Sequence, residues 1–125
     1  MQPNKGIFLL CRTSNPSAKD IQDFKLSSDE LLFEQIAKLA VKWNKNDNIG
    51  LVVGATKPEE IERVRKIANN LPMLIPGIGA QGGDLKKSMK YGNKNGVALI
   101  NISRGISFAG DLSASAIKDL SLIHI

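Results

Sequence analysis

An α/β fold built on parallel strands is what this sequence predicts, and three observations predict it. Short apolar runs such as Leu51-Val52-Val53 recur without polar alternation, the pattern of parallel strands covered on both faces. Amphipathic segments of helical period separate these runs, which is the order of βα units. A glycine-rich turn, Gly77-Ile78-Gly79-Ala80-Gln81-Gly82-Gly83, then closes one apolar run and opens a helix. Glycine lets backbone N–H groups approach an anion closely, and a helix N-terminus adds partial positive charge.

Ile7-Phe8-Leu9-Leu10-Cys11 reads as the first buried strand, and Arg12-Thr13-Ser14-Asn15-Pro16-Ser17 as a polar loop with turn chemistry throughout. Ser27-Ser28-Asp29-Glu30 offers a capping box for a helix whose stripe of Leu32, Ile36, Leu39, Ala40 and Trp43 would pack on a sheet. Phe33 and Trp43 are core candidates. Ile49-Gly50-Leu51-Val52-Val53-Gly54 is the second strand. Thr56-Lys57-Pro58-Glu59 then reads as another capping box, and Ile61, Val64, Ala68 and Leu71 as the inward face of its helix. Glu59, Glu60 and Glu62 complement the helix dipole there, not a catalytic pair. Met73-Leu74-Ile75 runs into the glycine turn, and a short helix follows over 84–91, with Asp84 as its cap. Val97-Ala98-Leu99-Ile100-Asn101-Ile102 forms a fourth strand, and residues 111–120 a last helix. No linker or low-complexity tract divides the 125 residues, so one structural unit is expected over 1–125.

Composition narrows the function classes. Apolar residues make up 42% and charged residues 23%, the proportions of an ordinary globular chain. No apolar run is long enough to span a bilayer and no secretory leader is visible, so no membrane association and a cytoplasmic location are expected. One cysteine, Cys11, excludes an intrachain disulfide, and the lone His124 leaves no Cys/His cluster, so no metal is expected. Cys11 reads as a small buried side chain with no activating neighbour. The net charge of +5 raises a nucleic-acid reading. Lys86, Lys87 and Lys90, the densest basic group, lack the interleaved aromatics that stack bases, so a solvated helix face is expected and no nucleic-acid partner.

Gly77-x-Gly79-x-x-Gly82 also satisfies the dinucleotide fingerprint, and Arg104 falls near where the 2′-phosphate of NADP would need it. That fingerprint belongs to the first βα turn of a nucleotide-binding half, whereas two complete βα units precede it here. A (β/α)8 barrel fits better, because such barrels bind phosphate with the loops after their seventh and eighth strands. The last two strands then take those places, and the chain becomes the C-terminal half of a TIM barrel, putative strands five to eight. A half-barrel would expose two strand edges and its apolar lining, so self-association is expected.

Four segments in the same order carry a family resemblance: Arg12-Thr13-Ser14-Asn15-Pro16-Ser17, Gly50-Leu51-Val52-Val53-Gly54-Ala55-Thr56, the turn from Pro76 to Asp84, and Asn101-Ile102-Ser103-Arg104. Over about residues 6–108 the sequence resembles orotidine 5′-phosphate decarboxylase, in particular its bacterial-type branch, subfamily 2. The resemblance implies that Arg104 grips the 5′-phosphate of the nucleotide and that Gln81 bridges phosphate and pyrimidine. It implies that the backbone at Gly82, Gly83 and Ser103 surrounds the phosphate and that Pro76 lines the base pocket. It further implies that Thr13, Ser14 and Asn15 recognise the pyrimidine edge, and that the complete enzyme is a homodimer.

The family reaction, free of metal and cofactor, removes carbon dioxide from orotidine 5′-phosphate to give UMP, with a lysine protonating C6. Its Asp-x-Lys-x-x-Asp signature is absent here, and Lys57 and Lys86 sit on helix starts, the wrong context. No catalytic residue is assigned, and the chain alone is expected to be inactive. A phosphate- or nucleotide-binding module standing alone, and less readily an NADP-binding Rossmann protein, remain as alternatives. Ser121-Leu122-Ile123-His124-Ile125 resembles translated sequencing-adapter sequence, so residues 121–125 are expected to be a non-native tail and His124 to have no function.

Overall fold

The computed structural model describes residues 2, 4–79 and 81–107. The helix expected over 111–120 and the tail over 121–125 lie outside the described residues. Four strands, β1 (Ile7–Arg12), β2 (Ile49–Val53), β3 (Met73–Pro76) and β4 (Ala98–Asn101), alternate with the helices α1 (Lys19–Gln22), α2 (Leu32–Trp43), α3 (Pro58–Ile67), α4 (Leu85–Gly92) and α5 (Arg104–Ser107). The strands form one parallel sheet in the order β1-β2-β3-β4. A dinucleotide-binding sheet reverses its strand order between its two halves and carries helices on both faces. The four described strands run in one sequential order with no reversal among them, which counts against the NADP reading.

The crossover helices cover a single face. Ile49, Leu51 and Val53 of β2 and Met73 and Ile75 of β3 point to it and join Phe33, Ala37, Ala40, Ile61 and Val64 in one buried cluster. Burying each large side chain of that set contributes about 1.5–3 kcal/mol. Among the described residues nothing covers the opposite face, on which Phe8, Leu10 and Leu99 are exposed. Sequential parallel order with helices on one side is the arrangement of successive units in a barrel wall, and the exposed residues are its inward lining.

The β1–β2 register contains the one irregularity that matters for the site. Leu10 pairs with Val52, but Arg12 pairs with Val53, so Cys11 is an extra residue in β1. Because a strand alternates its faces, this bulge turns Arg12 onto the helix-covered side along with Val53. Arg12 is accordingly only 4% exposed. Cys11 is also buried, and its thiol donates to the Phe33 carbonyl at 3.2 Å. Burial pushes that thiol up to about 12, with the nearby Arg12 charge opposing it only in part, so it is held protonated as the inert core residue expected from sequence.

Two helix starts differ from expectation. Residues 27–30 make no cap: Lys25 and Leu31 form an antiparallel bridge around a turn in which Asp29 takes a left-handed φ of 60°. The helix begins at Leu32, and Glu34 accepts from the Leu31 N–H at 2.9 Å, the carboxylate half of a capping box without its hydroxyl half. At α3, Thr56 stands one residue too early. Lys57 is the N-cap residue and Pro58 takes the first helical position, where its missing N–H leaves nothing to satisfy. The buried side of α2 is also rotated from the expected stripe, onto Phe33, Ala37 and Ala40. Trp43, in the last turn outside that arc, is 52% exposed and is not core.

Candidate functional site

The polypeptide leaves β3 through Pro76 and enters a loop whose conformation only glycine supplies. Gly77, Gly79 and Gly82 have φ of 95°, 71° and 85°, in the left-handed region that a Cβ disfavours. Gly77 has a second reason to be glycine: a Cβ there would stand 2.7 Å from Gln81 Oε1 and 3.2 Å from Ser14 Oγ. The loop is closed by its own amides, Gly82 N–H donating to the Gly79 carbonyl at 2.7 Å and Gly83 N–H to the Gly77 carbonyl at 3.0 Å. Asp84 then caps α4, its Oδ1 accepting from the Lys87 N–H at 2.9 Å, the structural role read from sequence.

Next to this loop, β4 ends at Asn101, Ser103 Oγ donates to Asn101 Oδ1 at 3.0 Å, and Arg104 opens the short α5. Between the two strand ends lies a cavity of about 200 Å³ lined by Pro76, Gly77, Ile78, Gln81, Asn101, Ser103 and Arg104. Arg104 is the only charged residue among the described lining residues, which therefore carry a net positive charge beside hydroxyl, amide and proline surfaces. Such a lining suits an anion attached to a partly polar body, with a guanidinium fork available for two phosphate oxygens. Its position at the C-terminal strand ends is where barrel enzymes bind their ligands. A second cavity, about 280 Å³, lies at the opposite end against Ile7, Asn48, Ile49 and Pro72.

Gln81 extends the cavity towards β1. Its Oε1 accepts from Ser14 Oγ at 2.6 Å across 67 residues of sequence. Of the site residues expected from sequence, Pro76, Gln81, Ser103 and Arg104 therefore gather around one cavity, and Ser14 joins them through Gln81. Gly82 and Gly83 shape the loop with amides already engaged inside it. Thr13 turns to Gln22, which accepts its N–H at 2.9 Å and donates to its Oγ1 at 3.1 Å. The Asn15 side chain donates to Ser17 Oγ at 2.7 Å and precedes the 3-10 turn Pro16–Ala18.

Two groups of residues escaped the sequence reading. Asn101 and Ile78 line the cavity; a polar residue closing the apolar run before Ser103 was the available signal for Asn101. The other group is a buried ionic cluster under the first loop. Arg12 Nε and Nη2 donate to the two Glu60 carboxylate oxygens at 2.6 and 2.9 Å. Glu60 is 8% exposed, so this residue does more than complement the helix dipole. Burial works to lower the Arg12 pKa, but the hydrogen bonds and charge of Glu60, with Asp23, outweigh it and hold the pKa above the ordinary value. No helix among the described residues is long and apolar enough to cross a membrane.

Comparison with known proteins matches residues 1–118 to the family model described as "Orotidine 5'-phosphate decarboxylase / HUMPS family". An orotidine 5′-phosphate decarboxylase of Haloarcula marismortui is 49% identical over 116 residues, 93% of this chain and 42% of that protein. The chain thus spans well under half the length of this curated relative. Among solved structures, the OMP decarboxylase of Leishmania donovani superposes with a TM-score of 0.84 at 42% identity, covering 98% of this chain and 48% of that one. The UMP synthase of the same organism gives a TM-score of 0.85 at 44% identity, with 98% and 28% covered.

Proposed function

Because the chain belongs to the orotidine 5′-phosphate decarboxylase / HUMPS family, we propose that the complete protein converts orotidine 5′-phosphate to UMP and carbon dioxide and that this segment grips the nucleotide. We assign the segment to the C-terminal half of the barrel, in the bacterial-type branch. The observation that carries the reading is the cavity between the ends of β3 and β4, in which one guanidinium and the Gln81 amide face the same space and Ser14 reaches in from β1.

In this reading Arg104 holds the phosphate and Ser103 supplies a hydroxyl beside it. Gln81 lies between phosphate and base, Pro76 forms an apolar wall for the ring, and Ser14 fixes the Gln81 amide in orientation. In the reaction the C6–carboxylate bond breaks, carbon dioxide leaves, and the electron pair left at C6 takes a proton. The sequence holds no Asp-x-Lys-x-x-Asp segment to stabilise that charge or deliver the proton, so we assign those steps to the remainder of the protein and none to this chain alone. The contribution of this segment is remote: binding energy from the phosphate is used at the reacting carbon. The homodimer implied by the family resemblance belongs to the same proposal.

Calorimetric titration of the chain with UMP, AMP and ribose 5-phosphate tests the reading. UMP should bind about tenfold more tightly than either competitor, the equivalent of one well-made hydrogen bond. Equal affinity for all three would replace it with a phosphate-binding module indifferent to the base.

A further inference from the structure

Ser14 is the only β1-side residue with a hydrogen bond into the cavity among those described, and what fixes its position lies buried beneath it. We infer that Arg12, anchored by Glu60, is a positioning residue for base selectivity, acting through Gln22 on the backbone from which Ser14 reaches Gln81. The inference rests on the nucleotide reading above and deepens it.

The chain of contacts is continuous. The bulge at Cys11 turns Arg12 beneath the loop, where its guanidinium lies 5.3 Å from the centre of the Phe33 ring. Two nitrogens hold Glu60 in a fork, at 2.6 and 2.9 Å. The third, Nη1, stands 2.8 Å from Asp23 Oδ1 as an ion pair and 3.5 Å from Gln22 Oε1. Gln22 in turn accepts the Thr13 N–H at 2.9 Å. On the other side, the Arg12 carbonyl accepts from Gly54 N–H at 2.8 Å. Gly54 leaves the Ser14 backbone room to lie against it, since a Cβ there would stand 2.9 Å from Ser14 N. Ser14 is thus fixed from two sides, by Gln22 behind Thr13 and by Gly54 at the end of β2. Lys57 Nζ, 3.4 Å from Glu60 Oε1, adds a second cation on the solvent side.

The chemistry requires arginine. A buried ion cluster adds little net stability over apolar packing of the same volume, whereas a planar fork that meets Glu60, Asp23 and Gln22 at once fixes directions. Lysine keeps the charge but offers no fork and cannot reach all three.

The test compares the affinities of UMP and ribose 5-phosphate in the unmodified chain and in Arg12→Lys, Glu60→Gln and Val64→Ala. Val64 is buried on the same helix as Glu60 and serves as a purely structural control. Arg12→Lys and Glu60→Gln should reduce the preference for UMP by about fivefold to tenfold, with ribose 5-phosphate affinity kept within about twofold. Val64→Ala should lower the melting temperature and leave the preference intact. An unchanged preference in a folded Arg12→Lys or Glu60→Gln chain, or an equal loss for both ligands, overturns the inference. If the unmodified chain itself does not prefer UMP, the nucleotide reading fails first and the inference falls with it.

Discussion

Replacement of Arg104 by alanine should weaken UMP binding by about a hundredfold, because a charge-assisted, two-pronged contact to phosphate is worth about 1.5–3 kcal/mol and each 1.4 kcal/mol is about tenfold. Arg104 is the sole charge lining the cavity and sits at the end of β4 without a salt-bridge partner among the described residues. Its guanidinium is exposed in the free chain, so the loss should shrink as salt is raised. Arg104→Lys keeps the charge without the fork and should fall between the two. A merely solvated surface arginine would give no change in UMP affinity on replacement, and calorimetry at two ionic strengths separates the cases.

The largest effect on stability is expected at Arg65. This residue is 2% exposed and satisfies carbonyl oxygens in the turn after α3, at the last residue of α4 and just before β4. Nη1 donates to Ala68, Asn69 and Leu71 at 3.2, 3.2 and 2.7 Å, and Nη2 to Gly92 and Val97 at 2.5 and 3.1 Å. Burial lowers its pKa from the ordinary arginine value, a cost that the carbonyls at the end of α3 and the end of α4 offset by their negative ends. Gly96 is small where Arg65 passes, since a Cβ there would stand against the guanidinium. Arg65→Met fills much of the volume and leaves those acceptors without a donor, so urea denaturation should show a loss of about 3 kcal/mol or more. An unchanged midpoint would mean that water satisfies the carbonyls equally well. Because Arg65 ties α3 to the C-terminal end of α4 and the start of β4, it supports the strand that carries Ser103 and Arg104, yet touches neither.

The elements of the fold were legible where local signals suffice. Uninterrupted Val, Leu and Ile runs gave the strands to within a residue or two, the three positive-φ glycines marked the loop, and Asp84 announced α4. The same locality explains Arg104 and Gln81, which flank consecutive strand ends of one βα unit. What stayed hidden depends on pairing between distant segments. The bulge at Cys11 exists only in the register of β1 against β2, and without it Arg12 reads as the first residue of a polar loop. Its partner Glu60 lies 48 positions away, and near a helix N-terminus a glutamate already has an adequate local explanation. The start of α2 was misplaced because the turn at residues 25–31 consumes Ser27 and Ser28. Trp43 was assigned to the core on size and period alone, and the one-residue rotation of the buried arc left it outside.

In the proposed function this segment holds a pyrimidine nucleotide between the ends of β3 and β4, with Ser14 in contact through Gln81. Amide chemical shifts of the ¹⁵N-labelled chain, followed during titration with UMP and separately with inorganic phosphate, test it most directly. UMP should move Gly79, Gln81, Ser103, Arg104 and Ser14 together, and phosphate should move the first four and leave Ser14 in place. Shifts centred on Asn48 and Ile49 at the opposite end of the sheet, or a Ser14 response identical for both ligands, would contradict the account.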